Sequence, residues 1–119
     1  MKIIAYYEPG WFPEVGTDFS VWDHLCRAYG VEFQMLSHWR EAVVPEGARV
    51  VLFDESGETT LAEHEVDLDA VYVFGRTALN LPFEVGLEGF YDEVVRIPTP
   101  QPITLFGFAA AAILLGGIR

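Results

Sequence analysis

The sequence predicts an α/β domain on a five-stranded, mainly parallel sheet. Three observations carry that expectation. Residues 2–7 (KIIAYY) and 48–53 (ARVVLF) are short, continuously apolar runs rich in β-branched and aromatic residues, as in strands buried on both faces. Strand-like runs alternate with helical segments or short connections along the whole chain. Turn residues punctuate them: Glu8-Pro9-Gly10 ends the first run and Asp54-Glu55-Ser56-Gly57 follows the third.

Taken in order, the first strand occupies residues 2–7. Residues 18–29 form an amphipathic helix, with Phe19, Trp22, Leu25, Cys26 and Tyr29 on one face and Ser20, Asp23, His24 and Arg27 on the other. Thr17 or Asp18 can cap it and Gly30 can stop it. The second strand covers residues 31–36, and residues 37–44 can add about two turns of helix before Pro45. The third strand is 48–53. The acidic stretch 58–69 has room for one short helix at 60–65. The fourth and fifth strands are 70–74 and 93–97, and an alanine-rich apolar helix closes the sequence. Residues 1–119 thus read as a single domain.

Charge narrows the partners. Eighteen Asp and Glu against seven Lys and Arg give a formal net charge of −11. Nucleic-acid binding draws its affinity from cations that displace phosphate counterions, so RNA is disfavoured as a direct partner. Anionic membranes are disfavoured for the same reason. The apolar run 103–118 is shorter than the roughly 20 residues a spanning helix needs. Its apolarity on every side instead suits burial in a homodimer. Cys26 is the one cysteine, which rules out a disulfide framework and fits a cytoplasmic location. Glu63-His64-Glu65 with Asp67 and Asp69 matches neither helical zinc spacing nor a calcium loop, and reads as a solvated acidic edge. Glu8, Asp54 and Thr77 at strand ends match in part the acid, Asp and Thr of a phospho-accepting receiver domain. Pro9 and Pro98 stand where that site needs a second acid and a lysine.

The last third carries the most specific pattern. Residues 71–82 (VYVFGRTALNLP) are a strand ending in a glycine turn. Residues 91–102 (YDEVVRIPTPQP) are a strand ending in an Ile-Pro turn, and residues 103–118 (ITLFGFAAAAILLGGI) are the apolar helix, with Thr104 placed to cap it. This order resembles the cofactor-binding half of the SPOUT superfamily, the trefoil-knotted methyltransferases. Gly75 matches the first glycine of that family's loop and Leu81 its leucine. Asn80 stands in for a glycine, and Arg76-Thr77 replaces Asn-Glu. Phe106 replaces the Asn that follows Thr104-Leu105.

The resemblance implies a C-terminal trefoil knot, a homodimer through the C-terminal helix, and S-adenosylmethionine as cofactor. The cofactor would be held by Phe74, Gly75, Arg76, Thr77, Leu81, Ile97, Thr99, Thr104 and Leu105. It also implies methyl transfer to RNA, at the ribose 2′-hydroxyl in the relevant branch. The family's arginine on the first helix corresponds to His24, and Arg27 lies one turn further along the same face. These two are the candidate catalytic residues, His24 as a base. A non-catalytic dimer that keeps the fold, with or without the pocket, is the competing expectation.

Overall fold

The computed structural model describes residues 1–6, 19–36, 38–75, 89–101 and 103–118. Among the described residues six strands form one sheet: β1 (Lys2–Tyr6), β2 (Glu32–Leu36), β3 (Val50–Phe53), β4 (Thr59–Thr60), β5 (Val71–Phe74) and β6 (Glu93–Arg96). Their spatial order is β2-β1-β5-β3-β6-β4, and every pairing is parallel. Two α-helices are described, α1 (Phe19–Ala28) and α2 (Gly107–Gly116). The architecture is the expected α/β one, with six strands rather than five. The sixth is the two-residue β4, which pairs with β6 through Thr59 and Thr60. The knot turns on the course of residues 76–88, which lie outside the described residues.

The alternation of side chains explains why the central strands are apolar without interruption. Ile3, Ala5, Val51, Phe53, Tyr72 and Phe74 face one side, where they meet Trp22 and Cys26 of α1 and Ala110, Ala111, Leu114 and Leu115 of α2. Ile4, Tyr6, Val50, Leu52, Val71 and Val73 face the other, with Trp39, Ala42 and Val44 packed on them. Both faces of β1, β3 and β5 are therefore covered, as parallel sheets require. Trp22 joins the helical layer to the sheet. Its ring stacks on Phe33 at 5.7 Å, tilts against Phe74 at 6.0 Å and meets Phe108 edge-on at 5.5 Å. The Cys26 thiol beside it is pushed up to about 11, by burial first and by Asp23 second, so it stays protonated.

Two expected helices give way to other structure. Of the helix expected over residues 37–44, the described residues 38–44 form only the single 3-10 turn Trp39–Glu41, and Ala42 is extended. The backbone groups find partners elsewhere. Lys2 Nζ donates to the Val43 carbonyl at 2.6 Å and to Gln34 Oε1 at 3.0 Å. Gln34 in turn accepts the Val43 N–H and donates to the Glu41 carbonyl. These bonds replace the helical ones and lay the segment across the sheet. Burial lowers the pKa of Lys2 there, against the opposing charge of Glu32.

Over residues 60–65 the helix start is present but does not propagate. Thr60 and Glu63 form a reciprocal capping box: Glu63 Oε1 accepts from the Thr60 N–H and hydroxyl, and the Glu63 N–H reaches Thr60 Oγ1. The same bonds lower the pKa of Glu63. One turn follows, closed by the His64 N–H on the Thr60 carbonyl at 2.9 Å. His64 then turns inward rather than lying on a solvated edge. Tyr72 Oη accepts the Asp67 N–H at 3.0 Å and donates to His64 Nε2 at 2.8 Å. That leaves Nδ1–H to donate to Glu93 Oε1 at 2.9 Å, while Arg49 holds Glu93 Oε2 at 3.1 Å. The His64 side chain is 1% exposed. The acidic stretch is thus pinned to β5 and β6 by a buried polar chain. No group of metal-ligating side chains occurs among the described residues.

The closing helix is α2. Gly107, Ala110, Ala111, Leu114 and Leu115 form its buried face, while Phe106 (42% exposed) and Ile113 (45%) point outward. Phe106 is its N-cap position and makes no side-chain cap; Thr104, expected in that role, bonds elsewhere. No described helix is long and apolar enough to cross a membrane.

Candidate functional site

A cavity of about 600 Å³ opens at the C-terminal ends of β3 and β6. Ligands of open parallel sheets bind at that edge, and the size suits a small organic molecule. Its apolar lining comes from Phe53, Val95, Ile97, Leu105 and Ala110. Asp54 and Glu55 supply carboxylates, Thr99 and Thr104 hydroxyls, and Arg96 the one cation among its described lining residues. Pro98, Pro100, Gln101 and Ile103 complete the wall.

Two short segments position these groups. The first leaves β3 and must cross over β6 to reach β4, because β6 lies between them. Asp54 N–H bonds the Val95 carbonyl at 3.0 Å as the crossing begins. Asp54 Oδ2 accepts the Ser56 N–H at 3.0 Å and also the Ser56 hydroxyl, which tightens the turn. Gly57 then passes so close to β6 that an added Cβ would lie 2.8 Å from Val94 O and Arg96 N. The second segment is residues 97–105. The Gln101 carbonyl accepts both the Thr99 hydroxyl at 2.6 Å and the Ile103 N–H at 2.8 Å, which folds the proline-rich loop on itself. Thr104 Oγ1 donates to Glu55 Oε2 at 2.7 Å and ties the two segments together.

Of the residues expected at the cofactor, Ile97, Thr99, Thr104 and Leu105 line this cavity. Phe74 and Gly75 end β5 in the buried layer beside it, where Phe74 stacks on Phe53 at 4.8 Å. The two loop ends meet there. A Cβ built on Gly107 would lie 1.8 Å from the Gly75 carbonyl oxygen, so the start of α2 presses directly on the end of β5. Arg76, Thr77 and Leu81 lie outside the described residues. His24 and Arg27 do not line the cavity. His24 is exposed on α1, and Arg27, 80% exposed, forms an i,i+4 pair with Asp23 at 2.8 Å.

Sequence reasoning tied Asp54 only to a receiver-type phosphorylation site and placed nothing at Glu55. A D-E-S-G turn reads as solvated, and only the placement of β6 beside β3 brings its carboxylates to the 97–105 loop.

No protein-family model matches the chain, and no curated protein does. Among solved structures, one described as "Structural insights into the 2-OH methylation of C/U34 on tRNA" matches over 97% of this chain and 91% of that one. The TM-score is 0.56 and the sequence identity 21%. At that identity the likeness is one of fold, and it extends over nearly the whole of both chains.

Proposed function

We propose that this chain is a SPOUT-like methyltransferase that holds S-adenosylmethionine in the cavity between β3, β6 and the 97–105 loop. The observation that carries the reading is the coincidence of the Ile-Pro-Thr-Pro loop with the cavity wall, in a fold like that of a structure concerned with tRNA 2-OH methylation. The donor set suits the cofactor. An adenine can lie on the apolar lining, and the excess of carboxylate over guanidinium suits a sulfonium cation. S-adenosylmethionine would supply the methyl group. The chain would supply orientation and exclusion of water. Calorimetry with S-adenosylhomocysteine tests the pocket, and transfer of labelled methyl groups to transfer RNA tests the chemistry. Failure of S-adenosylhomocysteine to bind would overturn the proposal.

In this reading the protein is a homodimer through α2, supported by the outward Phe106 and Ile113. His24 and Arg27 then act on the methyl acceptor only if a partner's α1 reaches the cavity, so dimerisation matters for transfer rather than for cofactor binding. Light scattering at micromolar concentration should give twice the 13.3 kDa chain mass; a monodisperse monomer would remove the interface from the proposal.

A second reading, a non-catalytic dimer that keeps the pocket, draws support from the distance of His24 and Arg27 from the cavity lining and from the charge of −11. Both readings share an expectation for RNA. The protein alone should bind transfer RNA weakly, because repulsion acts at long range and is least screened at low salt. Submicromolar filter binding that weakens steeply with salt would reveal a phosphate-contacting surface instead and restore direct RNA recognition.

A further inference from the structure

Two carboxylates, Asp54 and Glu55, stand among the described polar lining of the cavity. Asp54 is buried and its Oδ2 is engaged by the Ser56 N–H and hydroxyl within its own turn. Glu55 is exposed at the cavity rim. Its Oε2 accepts the Thr104 hydroxyl at 2.7 Å, and among the described residues its Oε1 has no hydrogen-bond partner. That bond bridges the two walls of the cavity, and its donor is an aliphatic hydroxyl. A carboxylate accepts only, and its two oxygens can take two neighbouring hydroxyls side by side.

We infer that Glu55 is the residue that selects the ligand here, accepting the vicinal hydroxyls of the ribose of an unphosphorylated nucleoside. The inference rests on the nucleoside reading of the cavity given above. Three features support it together. The apolar residues Phe53, Ile97 and Leu105 give a base a surface on which to lie. The carboxylate stands at the polar rim and accepts an aliphatic hydroxyl from Thr104, so a ribose hydroxyl replaces like with like. Among the described lining residues, two carboxylates against Arg96 leave an excess of negative charge. A phosphate brought beside Glu55 would be repelled, whereas a neutral or cationic 5′ substituent would not. Glu55 therefore sorts nucleosides from nucleotides as well as holding the sugar.

Isothermal calorimetry on the full chain tests this with three compounds. S-adenosylhomocysteine carries the ribose and an amino-acid tail, 5′-deoxy-5′-methylthioadenosine carries the ribose without the tail, and adenosine 5′-monophosphate carries a phosphate. Wild-type protein should bind the first two and bind the monophosphate at least about tenfold more weakly. Glu55→Ala should weaken the first two alike, by about tenfold to a hundredfold, the range for a lost hydrogen bond to a charged group. Glu55→Gln should weaken them less and narrow the gap to the monophosphate. Unchanged thermal melting of both variants, expected for a rim residue, assigns the loss to binding. Unchanged binding of methylthioadenosine to Glu55→Ala would overturn the inference. So would a loss confined to S-adenosylhomocysteine, which would place the amino group at Glu55. A wild-type protein that binds neither adenosine thioether would instead overturn the nucleoside reading itself.

Discussion

Gly107→Ala is expected to destabilise the protein by about 3 kcal/mol, although alanine is the better helix former. Within α2 the propensity difference alone would favour alanine by about 1 kcal/mol. The added methyl, however, would lie 1.8 Å from the Gly75 carbonyl oxygen, far inside contact distance, and the obstacle is backbone rather than a movable side chain. Relief requires α2 to back away from the end of β5, which opens the packing of Ala110, Ala111 and Leu114 on the sheet. Gly116→Ala supplies the opposite sign from the same helix. There the nearest atom to a new Cβ is the Tyr29 hydroxyl at 3.8 Å, an ordinary contact, so stability should rise by about 0.5–1 kcal/mol. Urea unfolding of the two variants beside wild type decides it. Equal stabilisation by both would mean that α2 and β5 do not meet at Gly107.

The second large effect is expected at His64. His64→Ala leaves the Tyr72 hydroxyl, on a residue with no exposed surface, without its acceptor, and leaves Glu93 without its buried donor. A loss of about 2–4 kcal/mol follows from two stranded polar groups. Tyr72→Phe should also destabilise, because it takes the hydroxyl away from the Asp67 N–H and from His64 Nε2, and the double variant should lose less than the sum. Alkaline titration offers an independent check. Burial raises the pKa of Tyr72 above its ordinary value of 10.0, with Asp67 and Glu93 adding to the shift and the bond from the Asp67 N–H opposing it. Its contribution is therefore fully present below pH 10 and is lost as the pH rises from there through the raised folded value. Tyr72→Phe should flatten that part of the stability profile. An identical alkaline limb in the variant would assign it to other groups.

The strands were legible because this sheet is buried on both faces. Runs such as IIAY and VVLF admit little other reading once bounded by turn residues, and they appear within two residues of the expected limits. Residues 37–44 and 60–65 were not legible, since what decides them is remote in sequence. Lys2 and Gln34 take the backbone groups of the first segment. Tyr72 and Glu93 draw His64 out of the second. Charge misled at His64 in particular: flanking glutamates suggest water, while the histidine itself faces inward. The 97–105 loop stood out through its prolines and threonines. Glu55 did not, because the turn that carries it gains meaning only from strand order.

That strand order also bears on synthesis. The link between β3 and β4 is complete by Thr60, yet the strand that must lie between them, β6, begins at Glu93. In a chain emerging from the ribosome, β3 and the β4 segment therefore lack the strand that pairs with both until more than thirty further residues arrive. β5 repeats the situation between β1 and β3. The nascent chain thus exposes unpaired strand edges for much of its translation, and edges of this kind invite pairing with other chains. The formal net charge of −11 opposes such pairing, since like-charged copies repel.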